Sequence, residues 1–193
     1  MKMIPEYTNR PIAVLNAGLL GRRIACVFLA GGFKVHLQDA SNTNLTDAST
    51  YIDKYQNEFV TGPRSSEDTG VSYNTFNDIS SAVANTWLVI EAVPETLESK
   101  IKAFTEVNRY APEDAIIASS SSLFKSYSVV EGVSTSRLTN VINMHFMMPP
   151  NIHSVELMSS GRTDPQIFPF LSDVMKRCGM VPFIVKKESM ASG

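Results

Sequence analysis

A chain of 193 residues sits at the upper edge of a single domain, so one hydrophobic core with a small appendage accommodates it. With 44% hydrophobic and 19% charged residues it is not a disordered chain, and a net charge of -2 with scattered Lys and Arg argues against nucleic acid as a partner. No secretory signal, membrane-length apolar run, peroxisomal tripeptide or Cys/His metal motif is visible, so the expectations are a cytoplasmic protein with no membrane or metal contact and buried free thiols at Cys26 and Cys178.

After an extension over residues 1–10, an apolar run at 11–15 has the length of a buried strand. A tight turn leads into 19–30, where Leu20, Ile24, Val27 and Phe28 recur at helical spacing before Gly31 and Gly32 end the helix. Residues 34–38 alternate as a strand and end on Asp39, completing a βαβ unit. A helix is expected over 45–59, a Gly/Pro/Ser loop over 61–70 and a brief strand at 71–76. Residues 87–92 form another buried strand and 96–110 a helix. Strands at 115–119, 140–145 and 154–158 bracket a short helix near Tyr127, and a helix at 166–178 precedes a last strand at 181–185. Strands alternating with helices of ten to fifteen residues predict an α/β fold, a Rossmann-type doubly wound and mainly parallel sheet covered on both faces, over residues 11–188 with a tail at 189–193.

The turn after the first strand reads Asn16, Ala17, Gly18, Leu19, Leu20, Gly21, which occupies the place of a G-x-G-x-x-G dinucleotide fingerprint with Asn at its first glycine. Gly18 lets backbone N–H groups approach a pyrophosphate and Gly21 allows close helix-strand packing. Asn tolerates the unusual backbone angles of the first position, but its amide adds bulk where the adenosine half of a cofactor would lie, so weakened binding is expected. Asp39, eighteen positions after Gly21, can bond both ribose hydroxyls and repel a 2′-phosphate. NAD is therefore the expected cofactor.

Further on, a strand ends in His145 within Asn143-Met144-His145-Phe146-Met147-Met148-Pro149-Pro150, and the next strand carries Glu156. Together with WLVIEAVPETLESK, IIASSSSLF and VPFIVKKES, this stretch resembles the 3-hydroxyacyl-CoA dehydrogenases over residues 10–189, with closer similarity to the lambda-crystallin and gulonate dehydrogenase-like branch. The resemblance implies that His145 is the general base that takes the proton of a 3-hydroxyl as hydride passes to the nicotinamide, worth ~10²–10⁴ in rate. It implies that Glu156 orients the ring, Ser122 bonds the substrate oxygen, and Glu95 and Lys100 line the nicotinamide and acyl-carrier side. His36 and His153 are expected to be structural or surface residues, and Glu91 to cap a sheet end. Met148 stands where the family usually has Asn, and the expectation from the resemblance is a chain without the helical half that closes the family's substrate cleft. The expectation is an NAD-dependent oxidoreductase acting on a 3-hydroxy acid, 3-hydroxyacyl thioester or related hydroxyl or ketone. Two alternatives stay open: a repurposed non-redox enzyme using His145 and Glu156 as an acid/base pair, and a non-catalytic remnant. Apolar surface on the last strand and the 166–178 helix predicts a homo-oligomer or a partner chain over an open cleft.

Overall fold

The computed structural model describes residues 4–7, 9–60, 71–122 and 130–185. Strand β1, Ile12–Leu15, has no solvent exposure at any of its four residues, as a strand covered on both faces must. It feeds α1, Leu19–Ala30, which ends at Gly31 and Gly32, the latter at φ 82°. Strand β2, Val35–Gln38, pairs parallel to β1, as does β4, Leu88–Glu91, on the other side. Strand β3, Tyr73–Phe76, lies outside β2, while β5, Ile116–Ser119, and β6, Val141–Phe146, extend the sheet beyond β4. Strand β7, Ser154–Ser159, reverses direction against β6, and β8, Val181–Val185, pairs parallel to β7 at the edge. The order β3-β2-β1-β4-β5-β6-β7-β8 is the doubly wound Rossmann arrangement with two added strands.

Side-chain caps set where three helices start. Ser41 accepts from Asn44 N and begins α2, Asn42–Tyr55, three residues ahead of the expected start at 45. The segment then tightens into a 3-10 turn, Gln56–Phe59, instead of continuing as α-helix. Asp78 caps α3, Ile79–Val83, a helix too short to announce itself by periodicity. Thr96 caps α4, Leu97–Tyr110. Helix α5, Ile167–Arg177, follows β7. The short helix expected near Tyr127 falls outside the described residues.

Two apolar cores flank the sheet. Ile12, Val14, Leu88, Ile90, Ile116, Ala118, Ile142, Met144 and Phe146 face α1, α2 and α5. Ala13, Leu15, Val89, Ile117 and Val141 face α3 and α4. Successive strand residues point to opposite faces, so Glu91, Ser119, Asn143 and His145 share the α4 face. The extension is part of the packing, since Tyr7 stacks at 5.6 Å from Trp87 and 5.5 Å from Phe170. Both cysteines are buried, and burial pushes the Cys26 thiol up to about 12, far from reactivity at neutral pH.

One expectation about the surface needs correction. Helix α5 turns Ile167, Leu171, Val174 and Met175 into the core, because its apolar spacing matches the sheet face it covers. Of the two elements, it is the edge strand β8 that exposes apolar surface, with Val181, Phe183 and Ile184 each more than half exposed. Among the described residues no helix is long and apolar enough to cross a membrane.

Candidate active site

The carboxyl ends of the parallel strands carry the site, as the topological rule for open α/β sheets requires. At the end of β1, Asn16 holds φ 82°, the left-handed conformation that a first glycine would supply, so the turn survives the substitution. A Cβ on Gly21 would lie 1.8 Å from the Asn16 carbonyl oxygen, so only glycine lets α1 pack this close to β1. The N-terminus of α1 starts at Gly18 with no side-chain cap, presenting the first helical N–H groups at Leu19, Leu20 and Gly21. Ala17 is buried, and Leu19 is half exposed.

The Asn16 amide does more than add bulk. Its Oδ1 accepts the Gly18 N–H at 2.9 Å, which places a side-chain oxygen over the backbone donor that an incoming phosphate would use. A second amide acts on Asp39. Asp39 is buried, and its carboxylate accepts from Ala17 N and Ser41 N, each at 2.9 Å, while Asn44 Nδ2 bridges both of its oxygens at 3.2 Å. Asn44 thus sits on the acceptor pair expected to take a ribose diol. Asn16 and Asp39 line a cavity of about 320 Å³ with Ala40, Ile79, Val93 and Lys102.

The candidate proton-transfer pair lies four strands away. Strand β6 ends in His145, whose antiparallel register partner on β7 is Glu156, and His145 Nδ1 lies 3.0 Å from Glu156 Oε2. A carboxylate can only accept, so Nδ1 carries the proton and donates it to Glu156, which leaves Nε2 as the basic nitrogen. Both side chains are partly exposed, at 22% and 32%. From β2 to β6 there are four strand spacings, about 19 Å along the sheet edge, a span suited to an extended dinucleotide.

Between the two ends stands a network that local sequence patterns do not reveal. Glu91, Ser119 and Asn143 are register neighbours across β4, β5 and β6. Glu91 accepts from Ser119 Oγ at 2.8 Å, Val93 N at 2.8 Å and Lys100 Nζ at 3.0 Å. Lys100 also reaches Glu95 at 2.8 Å, and Ser121 Oγ donates to Glu95. Asn143 Nδ2 donates to the Ser121 carbonyl at 2.9 Å. Burial pushes the Glu91 carboxyl above the usual carboxylate range, against the pull of the Lys100 charge and the Ser119 hydroxyl.

The structure therefore gathers Glu95 and Lys100 into one cluster and seals Lys100 inside it, so the lysine lines the cleft only through Glu95. Glu91 is a buried hub, more than the sheet-end cap expected of it. Ser122 is exposed at the end of the serine run, beside Ser121, which the cluster holds. His36 and His153 donate from Nδ1 to the Ala82 and Gly179 carbonyls, structural bonds as expected. The sequence did not single out Asn44, Ser119, Ser121 or Asn143; the Asn44 contribution was the one signal available, through its place three residues after the Ser41 cap.

Residues 11–189 match the family of the 3-hydroxyacyl-CoA dehydrogenase NAD binding domain. The chain belongs to this family. A lambda-crystallin homolog of Mus musculus is 31% identical over 183 residues, covering 92% of the chain and 57% of the relative. The mitochondrial hydroxyacyl-coenzyme A dehydrogenase of Rattus norvegicus is 29% identical over 185 residues, covering 91% and 58%. The chain thus spans a little over half the length of these relatives. Among solved structures, a diketoreductase studied for its action on dicarbonyl compounds superposes with a TM-score of 0.83 at 28% identity, covering 96% of the chain and 67% of that protein. A 3-hydroxybutyryl-CoA dehydrogenase of Escherichia coli K12 gives 0.78 at 26%, covering 92% and 38%. NAD is the cofactor of this domain family, and the residues present fit it: Gly21 keeps the helix close, Asp39 is held at the β2 end and a cavity opens beside it.

Two substitutions in the domain have measurable consequences. Asn16→Gly keeps the positive φ at no steric cost and frees the Gly18 donor. Losing a competing hydrogen bond of about 0.5–1.5 kcal/mol is expected to tighten NADH binding by roughly 2- to 10-fold in a fluorescence titration; unchanged affinity would show that the amide does not obstruct the turn. Met148 holds φ 52°, where a long side chain is strained and Asn is favoured. Met148→Asn is expected to raise stability by about 0.5–1 kcal/mol, read from the urea midpoint.

Proposed function

We propose that this chain is the cofactor-binding and proton-transfer half of an NAD-dependent oxidoreductase that interconverts hydroxyl and ketone on a 3-hydroxy acid, a 3-hydroxyacyl thioester or a related small molecule. The observation that carries the proposal is the His145–Glu156 pair at 3.0 Å, standing on the same sheet edge as the phosphate turn and Asp39. The phosphate turn, Asp39 and Glu95 hold the cofactor, which supplies the hydride acceptor. His145 takes the hydroxyl proton at Nε2 while Glu156 fixes its tautomer and stabilises the imidazolium. Ser122 donates to the substrate oxygen. Hydride transfer needs water excluded from the reacting atoms, so the site works with a cover, supplied by a second copy or a partner chain docked beside the exposed β8 edge. The proposed location is the cytoplasm.

Consumption of NADH in the presence of a 3-ketoacyl thioester, compared with a free 3-keto acid, tests the proposal. Turnover of either supports it and names the substrate class; NADH binding without turnover of either would sink it. A second reading, acid/base chemistry at His145 and Glu156 without hydride transfer, draws support from the Asn16 amide on the Gly18 N–H.

A further inference from the structure

The hydrogen bonds around Glu91 close on themselves. Ser119 Oγ donates to Glu91, Glu91 accepts from Lys100, Lys100 donates to Glu95, Glu95 accepts from Ser121 Oγ, and the Ser121 N–H returns to Ser119 Oγ at 3.2 Å. The members come from the end of β4, the turn after it, the first turn of α4, and the end of β5. Four of them are sealed: Glu91, Lys100, Ser119 and Ser121 are at most 1% exposed. Glu95 alone among the ring's members reaches solvent, with 32% of its side chain exposed. Its two oxygens are anchored from behind, one by Lys100 and the other by Ser121.

Glu91 cannot touch a ligand. Its oxygens already accept from three donors, and a carboxylate taken out of water is tolerated only when so satisfied. What it does is fix the ammonium of Lys100, which would otherwise swing among several rotamers and leave Glu95 loosely held. The ring stands at β4 and β5, between the Asp39 cavity on one side and His145 on the other. A ligand that runs from Asp39 to His145 along this edge crosses the end of β4, and Glu95 lies in the turn that follows it.

We propose that Glu91 is a positioning residue of the cofactor site, acting through Lys100 to hold Glu95 against the nicotinamide half of the dinucleotide, with Ser119 locking Glu91 in turn. This rests on the NAD-dependent reading above. A rigidly held acceptor binds a donor without the ordering cost of a mobile one, and the gain is of the size of one charge-assisted hydrogen bond.

The test is a double-mutant cycle in the full chain, read as NADH affinity by fluorescence and ADP affinity by calorimetry. Glu91→Gln and Glu95→Gln are each expected to weaken NADH about tenfold, and the double variant to be no weaker than either single within about twofold, because both act through one contact. ADP, which ends before the nicotinamide half, should bind all variants within about twofold of the unaltered chain. Additive losses, or parallel losses for NADH and ADP, would overturn the proposal, the second by revealing a merely structural role. Ser119→Ala and its double with Glu95→Gln give the same cycle through a milder change should Glu91→Gln fail to fold, and Ser119→Thr, which keeps the hydroxyl, should restore affinity. Failure of the unaltered chain to bind NADH would instead remove the functional reading and the proposal with it, an outcome distinct from additivity in a chain that binds.

Discussion

His145→Ala is expected to lower kcat by about 10²–10⁴ while leaving NADH affinity within about twofold. The ring nitrogen that acts is fixed by the strand register: His145 and Glu156 are direct partners in the antiparallel β6–β7 pair, and the carboxylate compels Nδ1 to donate. Glu156→Gln keeps the shape of that contact but removes its charge. A hydrogen bond to a charged group is worth about 1.5–3 kcal/mol, so a fall of roughly 10- to 100-fold is expected, smaller than that of His145→Ala. The two variants should be far from additive, since Glu156 works only through the ring it holds. Stopped-flow single turnover with a 3-keto substrate separates the chemical step from binding. An unchanged rate in His145→Ala would remove this residue from the mechanism.

Lys100→Met is expected to destabilise the fold by about 3–5 kcal/mol, because it strands Glu91 in the interior with its counter-charge gone. The loss should depend on pH with a definite sign. Burial already raises the Glu91 carboxyl above its unfolded value, and Lys100 is the largest influence pulling it back. For a carboxyl raised in the folded state, stability is fully present below the unfolded pKa and is lost as pH rises through the folded one. Removing Lys100 raises it further and widens that window. Urea denaturation should therefore show a smaller deficit at mildly acidic pH than at neutral pH, and the double variant Glu91→Gln with Lys100→Met should recover much of the loss. An equal deficit at both pH values would mean that Glu91 is not ionised in the native protein.

Features written in short, contiguous patterns are legible in the sequence. The βαβ unit, the glycines of the turn, Asp39 at the end of β2 and the His145/Glu156 pair on consecutive strands all depend on spacings within one or two elements, and all stand where the spacing put them. Features that depend on register were not legible. Glu91 meets Ser119 across 28 residues only because β4 and β5 pair with those two residues opposite each other. Asn143 reads as one more polar residue near a His until pairing sets it beside Ser119. The start of α2 moved for a local reason, since Ser41 captured a backbone donor ahead of the apolar periodicity, while the Asp78 cap starts a helix too short for periodicity to announce. The overestimate of exposed apolar surface on α5 has a packing cause: the same spacing that suits an interface suits the sheet beneath it.

The two asparagines give the site its particular character. Asn16 and Asn44 satisfy, from within the chain, a backbone donor and an acidic acceptor that a dinucleotide uses. Binding then exchanges hydrogen bonds instead of adding them, and exchange is worth less than new contact. Affinity for NADH should accordingly be modest, while the buried Asp39 charge keeps the preference for the form without a 2′-phosphate.

That preference is the most direct test of the central claim, that the edge running from the phosphate turn to His145 is an NAD site. Titration of the chain with NADH and, separately, with NADPH, followed by nucleotide fluorescence, should show saturable binding of NADH at micromolar to millimolar concentration and at least about tenfold weaker binding of NADPH. Absence of saturable NADH binding at millimolar concentration would contradict the claim.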